Sequence, residues 1–354
     1  MTCDPLAFRF RLDDPALYGL RAESSGAADF AFTHGLSQNV RVTEKVLPAL
    51  FRAARAVEER LGITQDLTVF VYASPEINAY VSSDTAKNRI LVFVSSSLLT
   101  ALTQDEWLVV LGHELGHHIF GHHRYPPVRR PEPNLRVQEL KRAAEISADR
   151  TGLIACGDID TTLRAMLKVS SGLDERLLDI DITDYMKQLS ELREMDGAEW
   201  VFYSTHPPFP VRVRALLRCD SLLRDVQAGG DPSVTLASLD ADVARDLRAC
   251  TSGRNGRRFE EEAISAAFWH AARAACRDGS FTAAEQAALA GEFGGDRVQG
   301  LKRLLSSAAS KEDAMQLLEE RAHRARIDVE HAPLMADEKF REILDRLSRA
   351  GLEI

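Results

Sequence analysis

Hydrophobic residues in the first third of the chain follow two different periods, which predict both helices and strands. Between Val42 and Leu61, apolar residues recur every three or four positions and Gly62 follows as a stop signal, so we predict a helix there. The segments 66–73 and 88–94 are shorter and rich in β-branched and aromatic residues, which is typical of strands. A small sheet among helices is therefore expected.

The apolar stretch after the second predicted strand indicates a long helix. Thr103 suits the N-cap position because Glu106, three residues on, completes a capping box, and the helical pattern continues to about Gly121. The prolines of segment 124–134 predict a loop, and the helical pattern returns over 135–156.

Changes of composition within residues 225–256, at QAGGDP and again at TSGRNG, indicate a domain boundary. We predict an N-terminal extension at 1–35, a domain of helices with a small sheet at 36–225, a linker at 226–256 and an all-helical domain at 257–354. The predicted fold class is α+β and mostly helical.

Composition narrows the classes of function. The chain has 354 residues, with 44 lysines and arginines against 53 aspartates and glutamates, and its net charge of −9 argues against a nucleic-acid partner. Its five cysteines are scattered and form no CxxC pair, as expected for free thiols in a reducing compartment. No secretory signal is evident, and no apolar run approaches the roughly 18–20 residues that cross a bilayer. We therefore expect a cytoplasmic protein without membrane insertion.

The strongest chemical signal is the sequence HELGH, which begins at His113. Residues four apart share one face of a helix, so the imidazoles of His113 and His117 can reach one ion, and Zn²⁺ accepts such ligands in a tetrahedral site. Glu114 can then act as general base toward a metal-activated water. Gly112 and Gly116 each cost a helix about 1 kcal/mol, which favours a close backbone approach or ligand access here. Two ordinary half-buried histidines are the alternative.

The third metal ligand has two candidates. His123 has the spacing of an HExxHxxGxxH motif, but Phe120 stands where that motif requires glycine. Glu145 and Asp149 lie four residues apart on the next predicted helix, so the first can bind the metal while the second accepts a hydrogen bond from a ligand imidazole. Alternatively, both are solvated acids. The other histidines near the helix end are expected to be solvated or to support the ligands: His118, His122 and His123.

Three motifs, HELGHH, EISAD and THPPFPVRVR, occur in the order found in the HtpX/CaaX-prenyl-protease family of zinc metallopeptidases, which residues 35–220 resemble. The resemblance implies that residues 36–225 form a zincin-like metallopeptidase domain. It also implies a gluzincin site with one Zn²⁺ per chain. The zinc ligands would be His113, His117 and Glu145, and the general base would be Glu114.

The same resemblance implies further roles around the cleft. Asn78 and Ala79 match an Asn-Ala pair on the substrate-binding side, and His206 and Arg212 match the catalytic His and Arg of an HPxxxxR stretch beside the metal. Peptide hydrolysis develops an oxyanion that a donor besides the metal stabilises, which suits His206 on its proline-preset backbone. Arg212 could instead orient a carboxylate as a bidentate fork, and Arg214 is an alternative to it. For His206, a rigid loop with an exposed imidazole is the plain alternative.

The C-terminal helices carry one further signature, ACRDGSFTAAE at 275–285, which resembles a turn of TerB-like helical domains. An EF-hand is excluded because Leu289 stands where a bidentate glutamate is required. Thr282 as N-cap and Glu285 as its capping-box partner explain the turn equally well as a helix start. We expect this domain to bind a protein partner or to cover the cleft.

These observations predict a soluble zinc metalloendopeptidase that hydrolyses a protein or peptide substrate with zinc-activated water and a glutamate base. The substrate would add as an extended strand beside the sheet edge near Asn78. Two alternatives stay open. One is a non-catalytic regulatory or binding protein with a structural zinc site and a partner-binding helical domain, and the other is a metal-dependent hydrolase of other substrates. Retention of ligands and base together favours the peptidase.

Overall fold

The computed structural model describes residues 4–20, 28–84, 87–127, 134–177, 181–194, 199–228, 232–250 and 254–354. The chain divides into two compact units. The first unit contains Met1–Pro127, Leu140–Met195 and Ser204–Cys250, and the second contains Val128–Glu139, Asp196–Tyr203 and Thr251–Ile354.

The first unit contains a four-stranded sheet. In chain order its strands are β1 (Val40–Arg41), β2 (Asp66–Tyr72), β3 (Ala79–Asp84) and β4 (Arg89–Ser95). They lie in the order β1-β2-β4-β3. The central pair, β2 and β4, is parallel, while β1 and β3 pair antiparallel to them. β3 is therefore an edge strand.

The central strands are the two that the sequence predicted, whereas β3 was not predicted. Its sequence, AYVSSD, contains adjacent serines and an aspartate, which are poor strand formers. It forms a strand because its backbone pairs with β4 along its whole length, from Ala79 opposite Val94 to Asp84 opposite Arg89. This pairing is a tertiary contact that the local pattern does not reveal.

Helices make up most of the described chain, so the prediction of a mostly helical α+β fold is confirmed. They are α1 (Ala28–Gln38), α2 (Pro48–Leu61), α3 (Ser96–Ala101), α4 (Gln104–Ile119), α5 (Leu135–Cys156), α6 (Ile159–Ser171), α7 (Ile182–Tyr185), α8 (Lys187–Glu194), α9 (Glu199–Tyr203), α10 (Phe209–Gln227), α11 (Pro232–Ala249), α12 (Arg254–Ala275), α13 (Ala283–Phe293), α14 (Gly295–Ser307), α15 (Lys311–His331) and α16 (Leu334–Arg349). Short 3₁₀ turns occur at Pro5–Phe8, Pro15–Tyr18, His122–Arg124 and Glu175–Leu177.

Local signals set several helix ends. The capping box predicted at the start of α4 is confirmed, since the Thr103 side chain accepts from the backbone of Glu106 and the Glu106 carboxylate accepts from the Thr103 N–H at 2.7 Å. The capping box predicted at Thr282 is present at the start of α13. By contrast, α2 begins at Pro48 rather than at Val42, because proline suits the first helical turn and the preceding residues form a separate turn.

The interval 226–256, predicted to be a linker, instead contains helix α11. Residues 229–231 and 251–253 of that interval lie outside the described residues. The glycines that suggested a linker lie on either side of the helix, and Pro232 is its first residue. Between them α11 buries Leu239, Val243 and Ala244 in a core of the first unit. Helical spacing of these apolar residues outweighs the turn signal that precedes them.

The predicted N-terminal extension, residues 1–35, also differs from an irregular tail. Phe8 and Phe10 are buried in the same core as Ile146 of α5, and Arg150 of α5 donates to the Phe8 carbonyl at 3.1 Å. Residues 1–3 and 21–27 lie outside the described residues, as do residues 128–133 of the predicted proline-rich loop.

The sheet forms one core of the first unit together with α2 and α4, through residues such as Leu50, Val57, Val92 and Leu115. The second unit has its own core around α12, where small residues such as Ala263 and Ala267 allow α15 and α16 to pack closely, with Leu318 and Phe340 filling the space. No helix in the described part of the chain has the length and apolarity to span a membrane.

Asp337 forms a buried charge cluster in the second unit. Its carboxylate lies 3.2 Å from the Arg136 guanidinium, 2.9 Å from that of Arg326 and 2.6 Å from that of Arg341. Burial alone would raise the pKa of Asp337, but the three guanidinium groups outweigh burial and hold that pKa below its ordinary value. The ionised carboxylate therefore stabilises the folded state at neutral pH.

We predict that Asp337→Asn lowers the free energy of unfolding at pH 7 by about 3 kcal/mol, because it removes the negative charge that compensates the buried Arg136 guanidinium. Because the pKa of Asp337 is lower in the folded state than in the unfolded state, its carboxylate stabilises the fold fully at pH values above the unfolded-state pKa. This stabilisation is lost as the pH falls through the folded-state pKa, so the difference between variant and wild type should shrink below about pH 4. Urea unfolding across this pH range measures both effects. The matched control is Glu330→Gln, which removes an exposed acid 3.1 Å from the same Arg326 and should cost under about 1 kcal/mol. Equal costs would contradict the prediction.

Candidate metal centre

Helices α4 and α5 approach each other with almost no side chain between them. A Cβ added at Gly112 would lie 2.4 Å from the Cβ of Ala155, and one added at Gly152 would lie 2.8 Å from the carbonyl oxygen of Val109. One added at Gly116 would be 3.0 Å from the α5 backbone. The close backbone approach expected from the glycines of α4 is therefore present, and it places the facing side chains of the two helices within reach of each other.

Three side chains from these helices converge on one point. The Nε2 atoms of His113 and His117 lie 3.1 Å apart. The Glu145 carboxylate is 3.6 Å from Nε2 of His113 and 3.5 Å from Nε2 of His117. Among the described residues these three form a group that could hold a metal ion, with all donor atoms within 4.8 Å of one another, and His123 lies outside it.

Asp149 orients the first of these imidazoles. Its Oδ1 accepts from Nδ1 of His113 at 3.0 Å, and its two oxygens accept from Nε and Nη2 of Arg212 at 2.8 and 2.6 Å. Burial alone would raise the pKa of Asp149, but the Arg212 charge outweighs it and holds that pKa at about 2. An ionised Asp149 therefore fixes the His113 ring with Nε2 directed at the donor group.

Arg212 lies between the candidate ligands and the cleft. Its side chain is buried, its guanidinium forks onto Asp149, and its Nη2 lies 3.3 Å from Glu145. This bidentate contact fits the predicted orientation of a carboxylate. Arg212 also lines the cleft, so its predicted catalytic role stays a prediction. The other candidate, Arg214, pairs with Asp246 of α11 at 3.3 Å.

Glu114 lies beside the donor group and is only 8% exposed. Burial raises the pKa of its carboxyl group to about 7, while the neighbouring His113 charge and a backbone hydrogen bond from Val81 of β3 act in the opposite direction. A carboxyl group with a pKa near neutrality can both accept and return a proton.

The donor group opens into a cleft of about 580 Å³, whose lining includes β3 on one side and the start of α10 on the other. Asn78 and Ala79 line this cleft at the beginning of the edge strand. The side chain of His206 is 60% exposed, with its Nε2 3.6 Å from Glu145 and its Nδ1 3.0 Å from the hydroxyl of Thr205. The structure thus brings the predicted substrate-side residues and His206 to the same cleft.

His122 is not solvated. Its side chain is 6% exposed, and its Nδ1 lies 2.7 Å from Nδ1 of His117 while its Nε2 lies 2.8 Å from Asp13. This places it in the supporting role that was the other expectation for the histidines at the end of α4. His118 turns the other way and meets Ser83 of β3 at 2.7 Å. Asp13 was not predicted at all, because nothing in its local sequence signals a contact with a histidine 109 positions away.

Two imidazoles and a carboxylate on adjacent helices, with a further carboxyl group beside them in an open cleft, define a candidate metal site of the metallopeptidase type. The sequence model described as Peptidase family M48 matches residues 37–128 and 133–220, and the chain belongs to this family. The match ends at residue 220, so the resemblance of the C-terminal helices to TerB-like domains stays a prediction.

Several curated relatives are named Protease HtpX. The protein from Histophilus somni is 27% identical over 211 residues, which cover 49% of this chain and 72% of that protein. The proteins from Shewanella frigidimarina and Xylella fastidiosa are 51% identical over 59 residues and 47% identical over 68 residues. These shorter matches cover 17% and 19% of this chain and 20% and 23% of those proteins. No solved structure gives a significant match.

We predict that Gly112→Ala lowers the free energy of unfolding by about 1–3 kcal/mol or more, because the new methyl group overlaps α5 and forces the helices apart. Thermal or urea unfolding of the full chain measures this. The matched control is Gly291→Ala in α13, where nothing lies within 4 Å of the added Cβ. There alanine should stabilise by about 0.5–1 kcal/mol, since it favours the helix. Similar effects at both positions would show that α4 and α5 are not in direct backbone contact.

Proposed function

We propose that this chain is a zinc-dependent metalloendopeptidase with a zincin-like catalytic unit. The observation that carries the proposal is the convergence of the His113, His117 and Glu145 donor atoms. Bonds of about 2.0–2.1 Å in a tetrahedral zinc site put the ligand atoms about 3.3–3.4 Å apart. The corresponding distances here are 3.1, 3.5 and 3.6 Å, so the three donors fit one Zn²⁺ with little movement.

Two imidazoles and one carboxylate also suit zinc chemically, because they leave a fourth position open to water or substrate. When bound, Zn²⁺ supplies the Lewis acid that polarises the peptide carbonyl and makes water a nucleophile at neutral pH. The ionised Asp149, held by Arg212, keeps the His113 ring in the tautomer that presents Nε2 to the metal.

Glu114 provides the proton transfer. Its carboxylate accepts a proton from the attacking water and then delivers that proton to the amine that leaves when the peptide bond breaks. Its burial beside the donor group supports this role. His206 extends over the same point from the opposite side of the cleft, and its exposed Nε2 is available to donate to the oxyanion that forms on the carbonyl.

The substrate is proposed to be a protein or peptide in extended conformation. β3 is an edge strand that lines the cleft; Ala79 begins it and Asn78 immediately precedes it. An added strand would pair through its main chain with the edge of β3 that faces away from β4, where Val81 already donates to Glu114. This pairing would place a peptide bond beside Glu114 without requiring particular side chains.

The test of this proposal is a Glu114→Gln variant, compared with wild type for bound zinc and for cleavage of casein. The variant should keep about one zinc per chain, because Glu114 is not a ligand, and should lose at least about 100-fold in cleavage rate, because it lacks the base. The matched control, Asp105→Asn, neutralises an exposed acid on the same helix and should retain full activity.

Two outcomes would contradict the proposal. Bound zinc at far below one equivalent per wild-type chain would show that the proposed catalytic ion is not held. Stoichiometric zinc with equal turnover in wild type and Glu114→Gln would exclude Glu114 as the base. Stoichiometric zinc without turnover of any peptide would instead support the regulatory alternative.

A further inference from the structure

The two candidate ligand imidazoles are held in different ways. Nδ1 of His113 meets a carboxylate directly, at 3.0 Å from Asp149. Nδ1 of His117 meets no carboxylate among the described residues; it lies 2.7 Å from Nδ1 of His122, whose Nε2 lies 2.8 Å from Oδ2 of Asp13. The second imidazole therefore reaches its carboxylate through another ring.

With a metal held by Nε2 of His117, the hydrogen bonds of His117 and His122 have one consistent proton arrangement. Nε2 of His117 faces His113 and Glu145, so a metal there takes its lone pair and the ring proton must sit on Nδ1. That proton is donated to Nδ1 of His122, which must then be unprotonated. His122 consequently carries its proton on Nε2 and donates it to Asp13. The Asp13 carboxylate is the acceptor that fixes the tautomer of both rings.

Asp13 is itself held firmly. Its side chain is fully buried, its Oδ1 accepts from the Tyr125 hydroxyl at 2.5 Å, and the Arg9 guanidinium lies 3.3 Å from Oδ2. Arg9 also donates to the Tyr125 oxygen at 2.8 Å. A buried carboxylate is costly unless it is paired and hydrogen-bonded, and this one has both kinds of partner.

The segment that carries Asp13 is anchored on α5, the helix of the third candidate ligand. The Phe10 N–H donates to the Ser147 hydroxyl at 3.0 Å, and the Arg11 N–H donates to Asp240, which also accepts from Arg150 of α5. Residues 4–20 precede residue 37, where the match to the family model begins. The carboxylate that supports His117 through His122 thus lies outside the part of the chain that the family model covers.

Resting on the zinc site proposed above, we propose that Asp13 is a positioning residue for the metal: it acts through His122 to hold His117 in its metal-binding tautomer and orientation. The N-terminal segment that carries Asp13 then contributes to metal binding. Asp13 and Asp149 play equivalent parts for the two ligand imidazoles, and Arg9 and Arg212 are their respective cationic partners.

The experiment measures Zn²⁺ affinity of the full-length chain by competition with a chromogenic chelator, and records the visible spectrum of the Co²⁺-substituted protein. Asp13→Asn should raise the Zn²⁺ dissociation constant about 10-fold or more and shift the Co²⁺ bands, because loss of such supporting partners typically costs about 10–100-fold in metal affinity. The matched control is Asp14→Asn, the neighbouring exposed acid that caps the following 3₁₀ turn. It should stay within about twofold of wild type.

Two further variants, His122→Leu and the double variant with Asp13→Asn, distinguish an effect transmitted through His122 from a general loss of packing around Asp13. His122→Leu replaces the ring with an apolar side chain of similar bulk and should weaken Zn²⁺ binding to a similar extent. If Asp13 acts through His122, the double variant binds no more weakly than the weaker single one, since the second change removes nothing further. Thermal melting of the chelator-treated variants verifies that each is folded. If Asp13→Asn does not fold, the Zn²⁺ affinity of His122→Leu is compared with that of Asp14→Asn, and equal affinities would overturn the relay.

The outcomes distinguish this inference from the proposed function. Equal affinities and Co²⁺ spectra for Asp13→Asn and Asp14→Asn, with tight binding in wild type, would overturn the relay alone. Additive losses in the double variant would also overturn it. Failure of the wild-type chain to bind Zn²⁺ would overturn both the relay and the proposed peptidase.

Discussion

The direct contact between the backbones of α4 and α5 is the constraint on which the rest of the metal centre depends. A side chain at Gly112 or Gly152 would overlap the opposite helix, so glycine at these positions permits the close approach of the two helices. At that separation, the short reach of an imidazole and of a glutamate suffices for His113, His117 and Glu145 to meet. A helix pair held apart by ordinary side chains would separate the donors, whatever the HELGH spacing within α4 itself.

The three acids of the site, Asp149, Glu114 and Glu145, differ in their burial and in their charged partners. Asp149 shares its charge with Arg212 and stays ionised, so it can only accept hydrogen bonds and orients His113. Burial raises the pKa of Glu114 to about 7, and under the proposed mechanism this is the acid that exchanges a proton. Glu145 lies 3.6 and 3.5 Å from the two imidazoles and is the acid proposed to bind the metal. In this proposal the burial and the partners of each carboxyl group set its role, as expected where neighbouring acids have different environments.

Those parts of the fold and site that depend on local sequence could be predicted, and those that depend on tertiary contacts could not. The capping box of α4 and the shared face of His113 and His117 follow from residue spacing alone. The edge strand β3 has a poor strand sequence and exists because β4 supplies a partner. Helix α11 was missed because the glycines on either side of it in the sequence suggested a linker. Asp13 joins the site from the far end of the chain, through a contact with no local signature. The fork of Arg212 onto a carboxylate was predicted as one possibility, but its partner Asp149 follows only from the tertiary structure.

The proposed site holds one Zn²⁺ between α4 and α5 through two imidazoles and one carboxylate. X-ray absorption at the zinc edge of the purified full-length chain examines this site, because the spectrum reports the type and distance of the ligand atoms. We expect four-coordinate zinc with nitrogen and oxygen ligands at about 2.0–2.1 Å, and two-imidazole scattering that drops to one imidazole in His117→Ala. Sulfur ligands at about 2.3 Å, or a spectrum that His117→Ala leaves unchanged, would contradict it.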